Sequence, residues 1–141
     1  MTAVYRRETS RYLRNVVKRL QPEAVVLYGS HATDSYGAGS DIDILVVSDR
    51  LPMNFLERLR ILAELNRTTA PIEAVGYTRR EFSGMLRKRH PTALDVLEEG
   101  KILYSRGFMR QMRRRFLKMK QELGLVKVQS GWDLRRTRTA G

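Results

Sequence analysis

The sequence predicts an α/β (α+β) domain, a small mixed β-sheet flanked by helices, and three observations carry that reading. Short β-branched apolar runs at 24–28, 42–47 and 72–77 alternate with segments whose apolar residues recur every three or four positions. The linker between the first two runs, 31–40, is too short to hold a crossover helix, so those runs form antiparallel neighbours or part of a mixed sheet. No stretch approaches the roughly 18 uncharged apolar residues of a membrane span.

From the N-terminus, residues 3–20 set Tyr5, Tyr12, Leu13, Val16, Val17 and Leu20 on one side of a helix that Gln21-Pro22 ends. Ala24 to Tyr28 is a buried strand halted by Gly29-Ser30, and Ile42 to Val47 is a second strand. Pro52 opens another helical pattern, carried by Phe55, Leu56, Leu59, Leu62, Ala63 and Leu65 and closing near Asn66. A third strand spans Ile72 to Tyr77, helices follow at 79–88 and 91–98, and Gly100 turns into a short strand at Ile102-Leu103-Tyr104. From Gly107 to Leu123 a basic amphipathic helix carries Met109, Met112, Phe116, Met119 and Leu123 as a stripe that packs on the body or on another helix. Residues 124–141, with the lone Trp132 as an anchor and the Arg135-Arg136-Thr-Arg138 cluster, read as an arm that orders when something covers it.

Charge divides the chain in the same place. Residues 1–100 hold 15 basic and 13 acidic side chains, whereas residues 101–141 hold 12 basic ones against Glu122 and Asp133 alone. A near-neutral body at 1–104 and a cationic segment at 105–141 are therefore expected, the latter suited to an acidic protein first and nucleic acid second. With no Cys and only His31 and His90, zinc–thiolate, iron–sulfur and disulfide chemistry are excluded, and any metal must sit on oxygen. The first residues lack the apolar core of a secretory signal, which makes the cytoplasm the expected compartment.

The chemistry is concentrated in Leu27-Tyr28-Gly29-Ser30, ten residues, then Asp41-Ile42-Asp43. Side chains two apart on a strand share a face, so Asp41 and Asp43 set two anions side by side, a pair that a hard divalent cation such as magnesium neutralises. A Gly-Ser turn after a strand offers backbone N–H groups at a helix start, and a hydroxyl, to phosphate oxygens. Glu73, an acid inside the third apolar run, is the candidate third carboxylate, able to bind a metal and to take a proton from an acceptor hydroxyl. Its rival readings are a surface acid on an edge strand or an ion-pair partner of Arg79 or Arg80. His31 is expected as a loop side chain and His90 as a cap or packing residue.

The pattern Gly29-Ser30-x10-Asp41-x-Asp43 resembles the signature of the DNA polymerase beta-type nucleotidyltransferase superfamily, and within it the chain looks most similar to the minimal nucleotidyltransferases of prokaryotes over roughly residues 10–104. That resemblance implies a polymerase beta-like fold, ATP as substrate, two magnesium ions, Gly29, Ser30 and Ser40 at the nucleotide, and Asp41, Asp43 and Glu73 as metal-binding, catalytic carboxylates. It further implies transfer of AMP to a tyrosine of a HEPN-type partner toxin, with the protein acting as antitoxin. Two departures stand out: His31, Thr33 and Asp34 occupy a loop where the family often has arginines, and Glu73 replaces the more usual Asp. They leave a second reading open, a catalytically weak or inactive protein of the same fold that neutralises a partner through its basic segment. The acceptor, the nucleotide base and any homo-oligomer are not legible in the sequence.

Overall fold

A computed structural model of the chain describes residues 1–37 and 39–134; the Arg135, Arg136 and Arg138 cluster lies outside them. Helix α1 spans Ala3–Leu20, capped by the Thr2 hydroxyl, which accepts from the Tyr5 N–H at 3.2 Å. It ends where Gln21 adopts a left-handed conformation (φ 43°) ahead of Pro22. Strands β1 (Ala24–Tyr28) and β2 (Ile42–Val47) pair antiparallel, with Tyr28 opposite Asp43. Helix α2 (Phe55–Glu64) then carries the chain over to β3 (Ile72–Tyr77), which lies parallel to β2. Helices α3 (Arg79–Arg87) and α4 (Pro91–Glu99) lead to β4 (Lys101–Ser105), antiparallel to β1, so the sheet runs β3-β2-β1-β4.

The period-two alternation of the strands divides the core into two layers. Val25, Leu27, Ile42, Ile44 and Val46 pack against Tyr12, Val16 and Leu20 of α1 and Leu62 of α2. Ala24, Val26, Leu45 and Val47 face the other way, onto Phe82, Leu94, Leu97 and the apolar stripe of α5 (Phe108–Leu123). The Met109, Met112 and Phe116 stripe is thus core, on the body, as its spacing predicts.

Beyond shifts of one or two residues at element ends, three features differ from the sequence reading. Helix α2 begins at Phe55 rather than Pro52, because the Asn54 side chain caps it by accepting from the Glu57 N–H at 3.0 Å. The helix expected after Gly29-Ser30 is a single 3₁₀ turn, Gly29–His31. The first part of the presumed arm is a hairpin, β5 (Leu125–Val128) and β6 (Gly131–Leu134), that packs on the body. Its anchor is Trp132, whose ring meets Phe116 edge-on and whose Nε1 donates to Asp95 at 2.7 Å; Lys127 pairs with the same carboxylate. No helix of the described residues is long and apolar enough to cross a membrane.

Candidate nucleotidyl-transfer site

The strand pattern decides where the acids go. In β2 the isoleucines at 42 and 44 are buried under α1 and α2, so Asp43, between them, emerges on the opposite face. Asp41 stands just before β2 on that same side. The parallel register sets Glu73 beside Asp43, and the antiparallel register sets Tyr28 on its other flank. Two neighbouring strands thus bring Asp41, Asp43 and Glu73 to one edge of one face, where β1 gives way to the Gly29–His31 turn.

Their proximity shows in their proton affinities. Glu73 has its pKa raised, first by the hydrogen bond its carboxyl shares with Asp41 and then by the Asp41 charge, with smaller contributions from burial and Asp43. Asp43 is raised by burial and by Asp41, against a partial offset from His31. The Tyr28 hydroxyl is pushed up to about 12, chiefly by burial and then by Asp43. Among the described residues no ion pair reaches these carboxylates, so the site is an uncompensated anionic edge. Glu73 is exposed on the edge strand, and Arg79, one of its possible ion-pair partners, is bound to Asp49 instead.

Gly29 is where the turn meets the acids. Its φ of +73° lies in the left-handed region, and a Cβ there would collide with Asp43 Oδ2. The carboxylate therefore rests directly against the backbone that the turn exposes. Ser30 contributes its carbonyl to the Ser35 N–H at 2.9 Å, which holds the turn closed and leaves its hydroxyl without a partner among the described residues. The Ser40 hydroxyl accepts from the Gly37 N–H at 2.9 Å, so it fastens the loop that delivers Asp41.

His31 was expected in a loop, yet it is buried, stacked on Tyr36 with ring centroids 4.5 Å apart and with Nε2 at 3.2 Å from the Ser40 carbonyl. It braces the turn from below, and its Nδ1 is buried with no hydrogen-bond partner. Nothing in its spacing announces this; the only local hint is Tyr36, an aromatic residue in an otherwise polar loop. His90 does cap, its Nδ1 accepting from the Thr92 N–H at 3.2 Å at the start of α4. Tyr28 was also missed as a site residue, although its position next to Gly29 fixes it opposite Asp43.

Carboxylates gathered without a compensating cation are a donor set for a hard divalent cation, and a Gly-permitted close approach leaves room beside them. The set is not a closed cage: among the described residues no group of three or more His, Asp or Glu side chains is arranged to hold a metal ion. The donors therefore fit a cation as an open pair, Asp41 and Asp43, with Glu73 adjacent on the neighbouring strand.

The family model described as a nucleotidyltransferase domain matches residues 10–103, more than half of the chain. Among solved structures, a toxin–antitoxin crystallised with AMP-PNP is similar at 21% identity and a TM-score of 0.52, over 83% of this chain and 87% of that one. The toxin–antitoxin MntA-HepT is similar at 18% identity and a TM-score of 0.52, over 84% and 88%. A Sulfolobus solfataricus protein described as a nucleotidyltransferase follows at 20% and 0.51, over 71% and 79%. At these identities the likeness establishes the fold. The comparison with curated proteins found no match. The family match spans both halves of the motif, the Gly29-Ser30 turn and the Asp41/Asp43 pair, and with it the chain belongs to the nucleotidyltransferase domain family.

Proposed function

We propose that the protein transfers AMP from ATP to a hydroxyl acceptor, a tyrosine of a HEPN-type partner toxin, and so acts as an antitoxin. The observation that carries this reading is the convergence of Asp41, Asp43 and Glu73 on one sheet face beside the Gly29-Ser30 turn. The toxin–antitoxin complexes among the structural relatives support it.

In this reading the turn binds the triphosphate: Gly29 allows the phosphates to approach the backbone, and the unengaged Ser30 hydroxyl donates to a phosphate oxygen. Asp41 and Asp43 hold magnesium, with Glu73 as the neighbouring third carboxylate. Magnesium bound there supplies positive charge to the triphosphate and to the leaving pyrophosphate. Glu73, set beside Asp43 by the parallel register of β2 and β3, takes the proton of the acceptor hydroxyl. The acceptor oxygen then bonds to the α-phosphorus as the bond to the β-phosphate bridging oxygen breaks. Residues 1–104 carry this chemistry, and the basic helix α5 that follows them packs its apolar stripe into the same core.

The test is incubation of the full chain with α-labelled ATP, magnesium and its cognate HEPN-type partner. Label should appear on the partner's tyrosine and vanish with Asp41→Asn plus Asp43→Asn. Undiminished labelling by the double variant removes the mechanism; an unlabelled partner that is nonetheless bound and neutralised returns the reading to a non-catalytic antitoxin of the same fold.

A further inference from the structure

The basic helix α5 presents a face that the transfer reaction does not use. Its apolar stripe is buried in the body, which turns Arg110, Arg114 and Lys118 outward, four residues apart, along the crest. Each step of four residues advances about 6 Å along the axis. Two clefts flank this crest and meet at Gly107 and Arg114. One, of about 610 Å³, is lined by Arg79, Arg106 and Arg115; the other, of about 430 Å³, by Arg110, Arg113 and Leu117.

The surface is strongly unbalanced in charge. Among the described residues none of Arg106, Arg110, Arg114, Arg115 and Lys118 forms an ion pair, while Arg79 is held by Asp49 and Arg113 reaches the Gly100 carbonyl at 3.5 Å. Among the described residues, Glu23 is the only acid lining either cleft. Cations left unpaired on an exposed ridge are matched by a polyanion.

The shape selects which polyanion. We infer that the α5 ridge docks in the major groove of a B-form DNA duplex, with the flanking arginines on the phosphates of the two strands. A major groove about 12 Å wide admits an α-helix, which would put one backbone on each side of the ridge, the sides on which the two clefts open. The major groove of A-form RNA is too narrow and deep for such a ridge. Single strands are bound through stacking on aromatic side chains, and no aromatic side chain is exposed along α5. An acidic protein partner would be expected to meet an apolar or aromatic hot spot, whereas among the described residues only two large aliphatic side chains, Ile102 and Leu117, are exposed here. Guanidinium groups fit phosphate through paired N–H donors, which accounts for arginine outnumbering lysine on this face. Contacts of this kind position the protein on DNA and carry little sequence preference.

Fluorescence anisotropy of the full chain with a labelled 20-base-pair DNA duplex of arbitrary sequence tests the inference. The DNA should be bound in low salt, and its affinity should fall linearly on a log–log plot against salt concentration. Replacing Arg110, Arg114 and Lys118 together by Gln should weaken binding at least tenfold and flatten that slope by about 0.9 for each phosphate that is no longer neutralised. A 20-base-pair RNA duplex and polyglutamate, run alongside, should bind several-fold more weakly. Absence of DNA binding at 50 mM salt, equal affinity for RNA or polyglutamate, or a triple variant that binds like the parent, as it would if residues 135–141 did the binding, each overturns the assignment. Circular dichroism checks that the variant is folded. The Asp41→Asn, Asp43→Asn variant should keep its DNA affinity, so loss of transfer and loss of docking are read separately.

Discussion

Where β2 and β3 leave the sheet, Asp49 and Glu81 are bound by cations and backbone donors; where the same strands begin, Asp41, Asp43 and Glu73 have chiefly one another. At the first end Arg79 Nε donates to Asp49 at 2.7 Å and the Arg79 N–H to the same carboxylate at 3.0 Å. Arg58, only 3% exposed, forks onto Glu81 at 2.6 and 3.1 Å and donates as well to the Pro52 and Gly76 carbonyls. Glu81 also closes a capping box with Thr78 at the start of α3. The pKa shifts follow: Asp49 and Glu81 are lowered by these bonds, whereas Asp43 is raised by burial and then by Asp41, and Glu73 chiefly by Asp41. One end of the sheet stabilises the fold, and the other opposes it and leaves its carboxylate oxygens without a cation among the described residues.

The largest effect that sharpens this contrast is on catalysis. On the proposed function, Asp41→Asn with Asp43→Asn should reduce AMP transfer at least about 100-fold, since it removes the charge proposed to hold magnesium. The same variant should melt no lower than the parent, because it removes repulsion; a clear fall in melting temperature in differential scanning fluorimetry would show that these acids serve the fold. At the opposite end Arg58→Ala should have the converse profile. It strands two carbonyls and one carboxylate, and chemical denaturation should show a loss of about 3 kcal/mol, with transfer by the remaining folded protein unchanged. Arg58→Lys should recover less than half of that, since an ammonium cannot reproduce the fork.

Gly29→Ala tests the point where turn and acids meet. The left-handed backbone costs roughly 1–2 kcal/mol for a residue with a Cβ. The new methyl group must also displace the Asp43 carboxylate, so transfer should fall by about 10- to 100-fold even where the protein remains folded. A variant that loses stability alone would separate Gly29 from the chemistry. Smaller still is the expected response to magnesium: millimolar magnesium should raise the parent's melting temperature by a few degrees at most and leave the Asp41→Asn, Asp43→Asn variant unmoved.

The first end was the harder to read from sequence, although it is the more ordinary. Strands 24–28, 42–47 and 72–77 were legible because apolar runs bounded by turn residues are local signals, and the Asp-x-Asp pair was legible because a strand's two-residue period is built into the backbone. Arg58 was not, because in the α2 pattern it is one of several arginines between leucines, and its partner Glu81 belongs to another helix. His31 likewise read as a loop residue; its burial depends on Tyr36 and on Tyr5 of α1, its two aromatic neighbours. The hairpin at 125–134 was hidden for a similar reason. Its short strands carry little apolar signal, and what holds them is Trp132 on Phe116 and Asp95, contacts to residues far back in the chain.

Acidity separates the two ends by sign. Asp49 and Glu81 have folded-state pKa values below their unfolded ones, so their contribution is complete above the ordinary carboxylate range and is lost as pH falls through the lowered values. Asp43 and Glu73 have raised values, so the folded parent binds more protons than the unfolded chain between the ordinary and the raised pKa. Stability is therefore penalised as pH rises through that window, fully so above it, and the penalty disappears below the unfolded pKa. Asp43→Asn should accordingly melt slightly higher than the parent at pH 7, and the difference should shrink toward zero as pH drops below about 4, where the parent's own carboxyl groups are protonated. Exposure of Glu73 and partial exposure of Asp43 keep the effect small, which is why the comparison needs the variant and the parent measured together across the pH series. An Asp43→Asn advantage that grew toward low pH would reverse the assignment, placing a stabilising partner on Asp43 and making the two ends of the sheet alike.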